Sequence, residues 1–95
     1  MPRVFSTSAA TADLKAILTF IGSHNRIAAA RVRAEFRRLF RILGRQPNIG
    51  TACEHLGRGV RCISVENYVI VFRKANNRVE VNRIVHGARD WEGLL

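Results

Sequence analysis

Acid is what this chain has least of. Seven Asp and Glu face sixteen Lys and Arg in 95 residues, giving a formal net charge of +9 and a pI near 11.5. Lysine is nearly absent as well: only Lys15 and Lys74 are not arginine among the cations. Such a surface attracts polyanions, either nucleic acid or an acidic protein, and the planar guanidinium fork suits carboxylate and phosphate. Cysteine is limited to Cys53 and Cys62. They do not form a CxxC pair, and only His55, with the distant His24 and His86, could join them around a metal. Both read as reduced residues packed as small hydrophobes, not as ligands or a disulfide. Long apolar runs are missing too. Tyr68 to Phe72 is far short of a bilayer span, and the opening MPRVFSTSAA has no apolar core of signal-peptide length. A cytoplasmic protein without a membrane segment is expected. No repeat, linker, low-complexity stretch or cofactor motif is visible, and no cofactor or metal is expected.

What is present is a globular composition, 47% hydrophobic and 24% charged, in one expected domain over residues 1–95. A chain of this length buries about 60–65% of its unfolded surface, so one modest core is the limit. Arg3 to Ser6 reads as a first strand. Ser6, Thr7 and Ser8 offer N-cap oxygens, with Asp13 in an early turn. Leu14, Ile17, Leu18 and Ile21 fall at i, i+3, i+4 and i+7 on one helical face. Gly22-Ser23-His24-Asn25 should break this helix, and Asn25 should cap the next. The second helix is expected from about Arg26 to Leu43, ending at Gly44. Its apolar stripe is Val32, Phe36, Leu39, Phe40 and Leu43. The other faces carry Arg31, Arg33, Arg37, Arg38, Arg41 and Arg45 against a single acid, Glu35. Arg37, Arg41 and Arg45 stack like charges at i+4, a small cost in isolation that an acidic partner would offset.

Loop chemistry follows in Gln46-Pro47-Asn48-Ile49-Gly50, where Gly50 permits positive φ. Three strands come next. Val60 to Val65 is joined by Glu66-Asn67 to Tyr68 to Phe72, which is apolar on both faces and so belongs in the centre of a sheet. Asn76-Asn77 turns into Val79 to Val85. The alternation there predicts Val79, Val81 and Val85 toward the helices, with Glu80, Asn82, Ile84 and His86 on an open, partly polar face. The expected architecture is α+β, in the order β-α-α-β-β-β. An N-terminal strand and an antiparallel helical hairpin pack on an antiparallel sheet, followed by a short tail.

The stretches ADLKAILTFI (12–21), RQPNIG (45–50), YVIVFR (68–73) and VEVNRIVHGARDW (79–91), in this order and spacing, resemble the RelE/ParE superfamily of toxins from type II toxin–antitoxin modules. The tail is most like the ParE branch. The resemblance implies a single-domain toxin neutralised by a small, ParD-like antitoxin in a hetero-oligomer. ParE-like members are associated with poisoning DNA gyrase, which would bring nucleic acid in only indirectly. RelE-like members are ribosome-dependent messenger-RNA endonucleases, and that is the alternative. RNA cleavage needs a base, an acid and cations for the phosphorane. His86, Arg83, Arg61 and Arg58 are the residues available for it, with no tyrosine or lysine in the tail. A lone histidine at a strand end favours a structural role, so a gyrase-binding inhibitor without catalytic residues is the preferred expectation.

Arg83, His86, Arg89 and Trp91 are then candidates for contact with the target. Leu14, Arg33, Phe36, Arg37, Phe40, Arg41 and Trp91 are candidates for contact with the antitoxin, which should bring an acidic segment with apolar anchors at helical spacing. Gly87 is expected to let the chain turn after the last strand. Trp91, Leu94 and Leu95 should pack back on the domain or meet a partner.

Overall fold

A computed structural model describes residues 3–87. The elements are β1 (Arg3–Ser6), α1 (Ser8–His24), α2 (Arg26–Arg45), β2 (Thr51–Ala52), a 3-10 turn (Glu54–Leu56), β3 (Val60–Val65), β4 (Tyr68–Ala75) and β5 (Arg78–His86). The α+β arrangement expected from the sequence is present, with β2 added at one edge. The strand order is β1-β5-β4-β3-β2, with β4 central. Strands β2 to β5 are antiparallel, whereas β1 joins β5 in parallel, so the sheet is mixed.

Local chemistry sets the helix ends. Thr7 is the N-cap of α1: the Ala10 N–H donates to its Oγ1 (3.1 Å), its hydroxyl donates to the Asn82 carbonyl (2.9 Å), and its own N–H donates to the Val81 carbonyl (3.0 Å). One residue therefore caps α1 and fastens it to β5. Helix α1 runs through Gly22, Ser23 and His24 to break only at Asn25. The break expected over Gly22 to Asn25 falls at its last residue; Gly22 stays helical, since a glycine inside a packed helix costs only about 1 kcal/mol relative to alanine. Asn25, at φ −157°, accepts from the Ala28 N–H (3.0 Å) and starts α2, which runs past Gly44 to Arg45.

The core lies between the hairpin and one face of the sheet. Val32, Phe36, Leu39 and Leu43 of α2 and Ala10 of α1 meet Ile70, Phe72, Val79, Val81 and Ile84. The opposite face is also partly apolar. Cys53, Val60, Cys62 and Val71 form a second cluster with Leu56 and Val69, roofed by the segment after β2. Both cysteines are buried, and they are not joined in a disulfide.

One expectation about β5 reverses halfway along it. Val71 pairs with Arg83 but Phe72 pairs with Val81, so Asn82 is an extra residue and the ladder bulges there. A bulge shifts the alternation by one. Val79 and Val81 face the helices as expected. Beyond Asn82, however, Ile84 joins the helix-side core and His86 lies opposite Tyr68, while Val85 pairs with Val69. In the turn at 66–67 it is Glu66 that takes positive φ (55°). Gly50 does need its glycine. At φ 81° an added Cβ would sit 2.3 Å from the Cys62 carbonyl oxygen. Gly87 has no positive φ and extends the ladder, its N–H donating to the Asn67 carbonyl (2.9 Å).

Candidate functional site

The four residues available for RNA cleavage are not assembled in one place: Arg83 and His86 line one hollow, and Arg58 and Arg61 lie apart from it. Val60, two residues after Arg58, pairs with Arg73, whereas His86 pairs with Tyr68. Five residues of β4 separate those rungs, about 17 Å at roughly 3.3 Å per residue. Arg61 holds the loop after α2: its Nε donates to the Ile49 carbonyl (3.0 Å), and its Nη2 to those of Asn48 (2.7 Å) and Gly50 (3.0 Å). Arg83 is held by Asp13. His86 lies on the helix side of the sheet, not on the open face, because of the bulge. Its ring meets Tyr68 edge-on at 5.3 Å, and Tyr68 in turn tilts against Phe36 at 6.2 Å. This is an aromatic stack that closes one end of the core. Among the described residues no group of three His, Cys, Asp or Glu could hold a metal ion.

Helix α1 has a groove on each side. On the first side, β1 ends opposite Val81, and among the described residues β5 runs on without a strand partner on that edge. Asp13 projects into this gap. Its carboxylate accepts from Arg83 Nε (2.7 Å) and Nη2 (3.1 Å) and from the Ile84 N–H (2.9 Å). The carboxylate thus supplies the edge hydrogen bond that a further strand would have made. The ion pair, chiefly its hydrogen bonds with Asp13 opposing a desolvation cost, raises the Arg83 pKa above the usual guanidinium value. The share that rests on the Arg83 charge is therefore fully present below the ordinary guanidinium value and falls away as pH rises through the raised one, beyond the working range. Around the clamp, Ile17 and Phe20 of α1 face Tyr68 and His86 across a hollow. Phe20 is 66% exposed and Ile27, at the start of α2, 84%.

The second groove lies between α1 and α2. Leu14 and Leu18 line it with Thr11 and Thr19, and Lys15 and Arg33 stand on opposite sides. Of the antitoxin candidates, Leu14 and Arg33 meet here. Phe40 is half-buried and packs on the core; Arg37 and Arg41 are exposed on α2. Phe36 is a correction. It is 1% exposed and belongs to the core, so it offers no side chain to a partner. Arg89 and Trp91 lie outside the described residues.

Sequence reasoning did not single out Phe20, although it is an apolar residue displaced from the face of Leu14, Ile17, Leu18 and Ile21. Asp13 was legible only as an early-turn acid; nothing local announces a partner 70 residues away.

A helical hairpin over a mixed sheet agrees with the α+β architecture expected of the RelE/ParE class of toxins. The family model for the ParE toxin of the type II toxin–antitoxin system parDE matches residues 4–91, and the chain belongs to that family. Among solved structures it is similar to a chain of the chromosomal ParDE toxin–antitoxin system from P. aeruginosa. The TM-score is 0.76 and the identity 22%, over 90% of this chain and 96% of that one, a likeness in fold. No curated protein matches the sequence.

Proposed function

We propose that this ParE-type toxin inhibits growth by acting on DNA gyrase in the cytoplasm, and that a ParD-like antitoxin neutralises it. Family membership over residues 4–91 is the observation that carries the reading. Arg83 and His86 share a hollow, but Arg83 is tied to Asp13, and Arg58 and Arg61 lie away from it. This supports a binding inhibitor over a nuclease, because general acid–base chemistry needs its groups within hydrogen-bond reach of one substrate. Among the described residues no helix is long and apolar enough to cross a membrane.

The antitoxin is expected in the groove between α1 and α2. An acidic amphipathic helix fits there, with apolar anchors on Leu14, Leu18 and Phe40 and carboxylates toward Lys15, Arg33, Arg37 and Arg41. The target reading is tested with purified toxin and gyrase. Supercoiling should be inhibited, or cleaved DNA should accumulate, while messenger RNA on ribosomes stays intact. Ribosome-dependent cleavage that disappears in His86→Ala would overturn it.

A further inference from the structure

Every carboxylate among the described residues is engaged. Asp13 holds Arg83 and the Ile84 N–H, Glu35 holds Arg38, and Glu66 holds Arg31. Glu54 accepts from the Gly59 N–H and Glu80 from the Asn82 amide. None is left for Arg33, Arg37, Arg41 and Arg45, which are exposed and make no ion pair among the described residues. These four repeat every four residues, about 6 Å of helix per step and about 18 Å in all, and drift about 40° per step. They form one shallow ridge that starts at the groove with Arg33 and winds onto the outward side of α2.

We propose that this ridge is a direct binding site for the phosphate backbone of duplex DNA. The residues beside the arginines decide between a polyanion of this kind and an acidic protein. Ala30 and Ala34 are exposed next to the ridge, and α2's only acid, Glu35, is turned to Arg38. A protein partner needs apolar anchors to slow its dissociation, and those lie in the groove, at Leu14 and Leu18, not on the ridge. Phosphate contacts need only cations that can approach closely, with no apolar seam. Alanine leaves room for that approach, and arginine can grip a phosphate with two N–H groups. The choice of duplex DNA among phosphate polymers rests on the gyrase reading, since gyrase holds DNA. An antitoxin seated in the groove would also cover Arg33, Arg37 and Arg41, so the two ligands should exclude one another.

The test uses the purified chain, without gyrase, and a fluorescent 30-base-pair duplex of random sequence. Four phosphate contacts predict a slope of log K against log salt of about −3.6, or about 150-fold weaker binding at 200 mM than at 50 mM. Arg37→Glu, Arg41→Glu and Arg45→Glu together should flatten the slope by about 2.7 and abolish measurable binding at 200 mM, with the circular dichroism unchanged. A basic protein binds DNA weakly anywhere on its surface, so a control reverses the exposed Arg58, Arg73 and Lys74 instead, with the same change in net charge. That control should retain most of the affinity and slope. Equal losses in both triple variants, no binding by the native chain at 50 mM, or tighter binding to duplex RNA would each overturn the proposal. Gyrase inhibition is measured separately. A native chain that inhibits gyrase but does not bind the duplex through these arginines refutes the ridge and leaves the target reading standing. Ridge-dependent DNA binding without any inhibition does the reverse.

Discussion

Arg83 and Arg37 carry the same guanidinium in opposite circumstances. Arg83 sits at the edge of β5, gripped by Asp13, and its charge is used within the fold. Arg61 is alike in this: it is tied to three backbone carbonyls after α2. Arg37 stands on α2 with Arg33 and Arg41 as its i−4 and i+4 neighbours and no acid in reach among the described residues. A net charge of +9 counts all of these equally. The fold divides them into arginines that hold the chain together and arginines that no acid among the described residues neutralises.

The same division holds among apolar residues, and the largest effect is expected there. Phe36 and Phe40 lie one helical turn apart on α2, yet Phe36 is in the core and Phe40 is half-buried. Phe36→Ala should cost about 3–5 kcal/mol, the usual loss for a buried phenylalanine, lowering the melting temperature by about 4–8 °C per kcal/mol. Phe40→Ala should cost roughly half of that or less and instead speed dissociation of the antitoxin. Surface plasmon resonance together with thermal melts separates the two. A Phe40→Ala protein with unchanged dissociation would remove Phe40 from the interface.

A smaller effect is expected at the clamp. Asp13→Ala leaves Arg83 and the Ile84 N–H without their acceptor, which should cost about 1–3 kcal/mol. The groups are partly exposed, and water can replace some of the loss, so the lower half of that range is expected. Asp13→Asn keeps an acceptor for the N–H but loses the ion pair, and should fall between. Hydrogen exchange at the Ile84 amide reads this locally: it should rise in Asp13→Ala and stay near native in Asp13→Asn. Equal protection in all three proteins would mean that the carboxylate does not close this edge.

Most of the fold was legible because its signals are local. Asn25 caps α2 through its own side chain, Gly50 sits where a Cβ would strike the Cys62 carbonyl, and the doubly apolar run after Tyr68 is the central strand. What could not be read came from distant pairings. A bulge at Asn82 is fixed by how β5 meets β4, and it turned Ile84 and His86 to the other face without any break in the sequence pattern. The parallel entry of β1 depends on Thr7 reaching Val81 and Asn82, 75 residues away in the second case. The candidate site suffered in the same way. Arginine was identifiable as a type, but whether a given arginine was already paired depended on Asp13, Glu35 and Glu66 reaching it in three dimensions.

The smallest predicted effect tests the ridge through stability alone, and its sign is unusual. Replacing a charged surface residue is ordinarily neutral within about 0.5 kcal/mol. Arg37, however, has like charges at both i−4 and i+4, each pair opposing the helix by about 0.2–0.5 kcal/mol at low ionic strength. Arg37→Gln removes both repulsions, keeps a side chain of similar helix propensity and breaks no ion pair among the described residues. The variant should therefore be more stable than the native chain by a few tenths of a kcal/mol in low-salt denaturant titrations with urea. The gain should fade as salt shortens the screening length below the spacing of the pair, from about 10 Å at 0.1 M to 3 Å at 1 M. Arg38→Gln is the matched comparison, since it breaks the contact with Glu35 and should gain less or lose slightly. If Arg37→Gln lowers stability at low salt, Arg37 has a partner within the chain, and the ridge is not left for an external anion to neutralise.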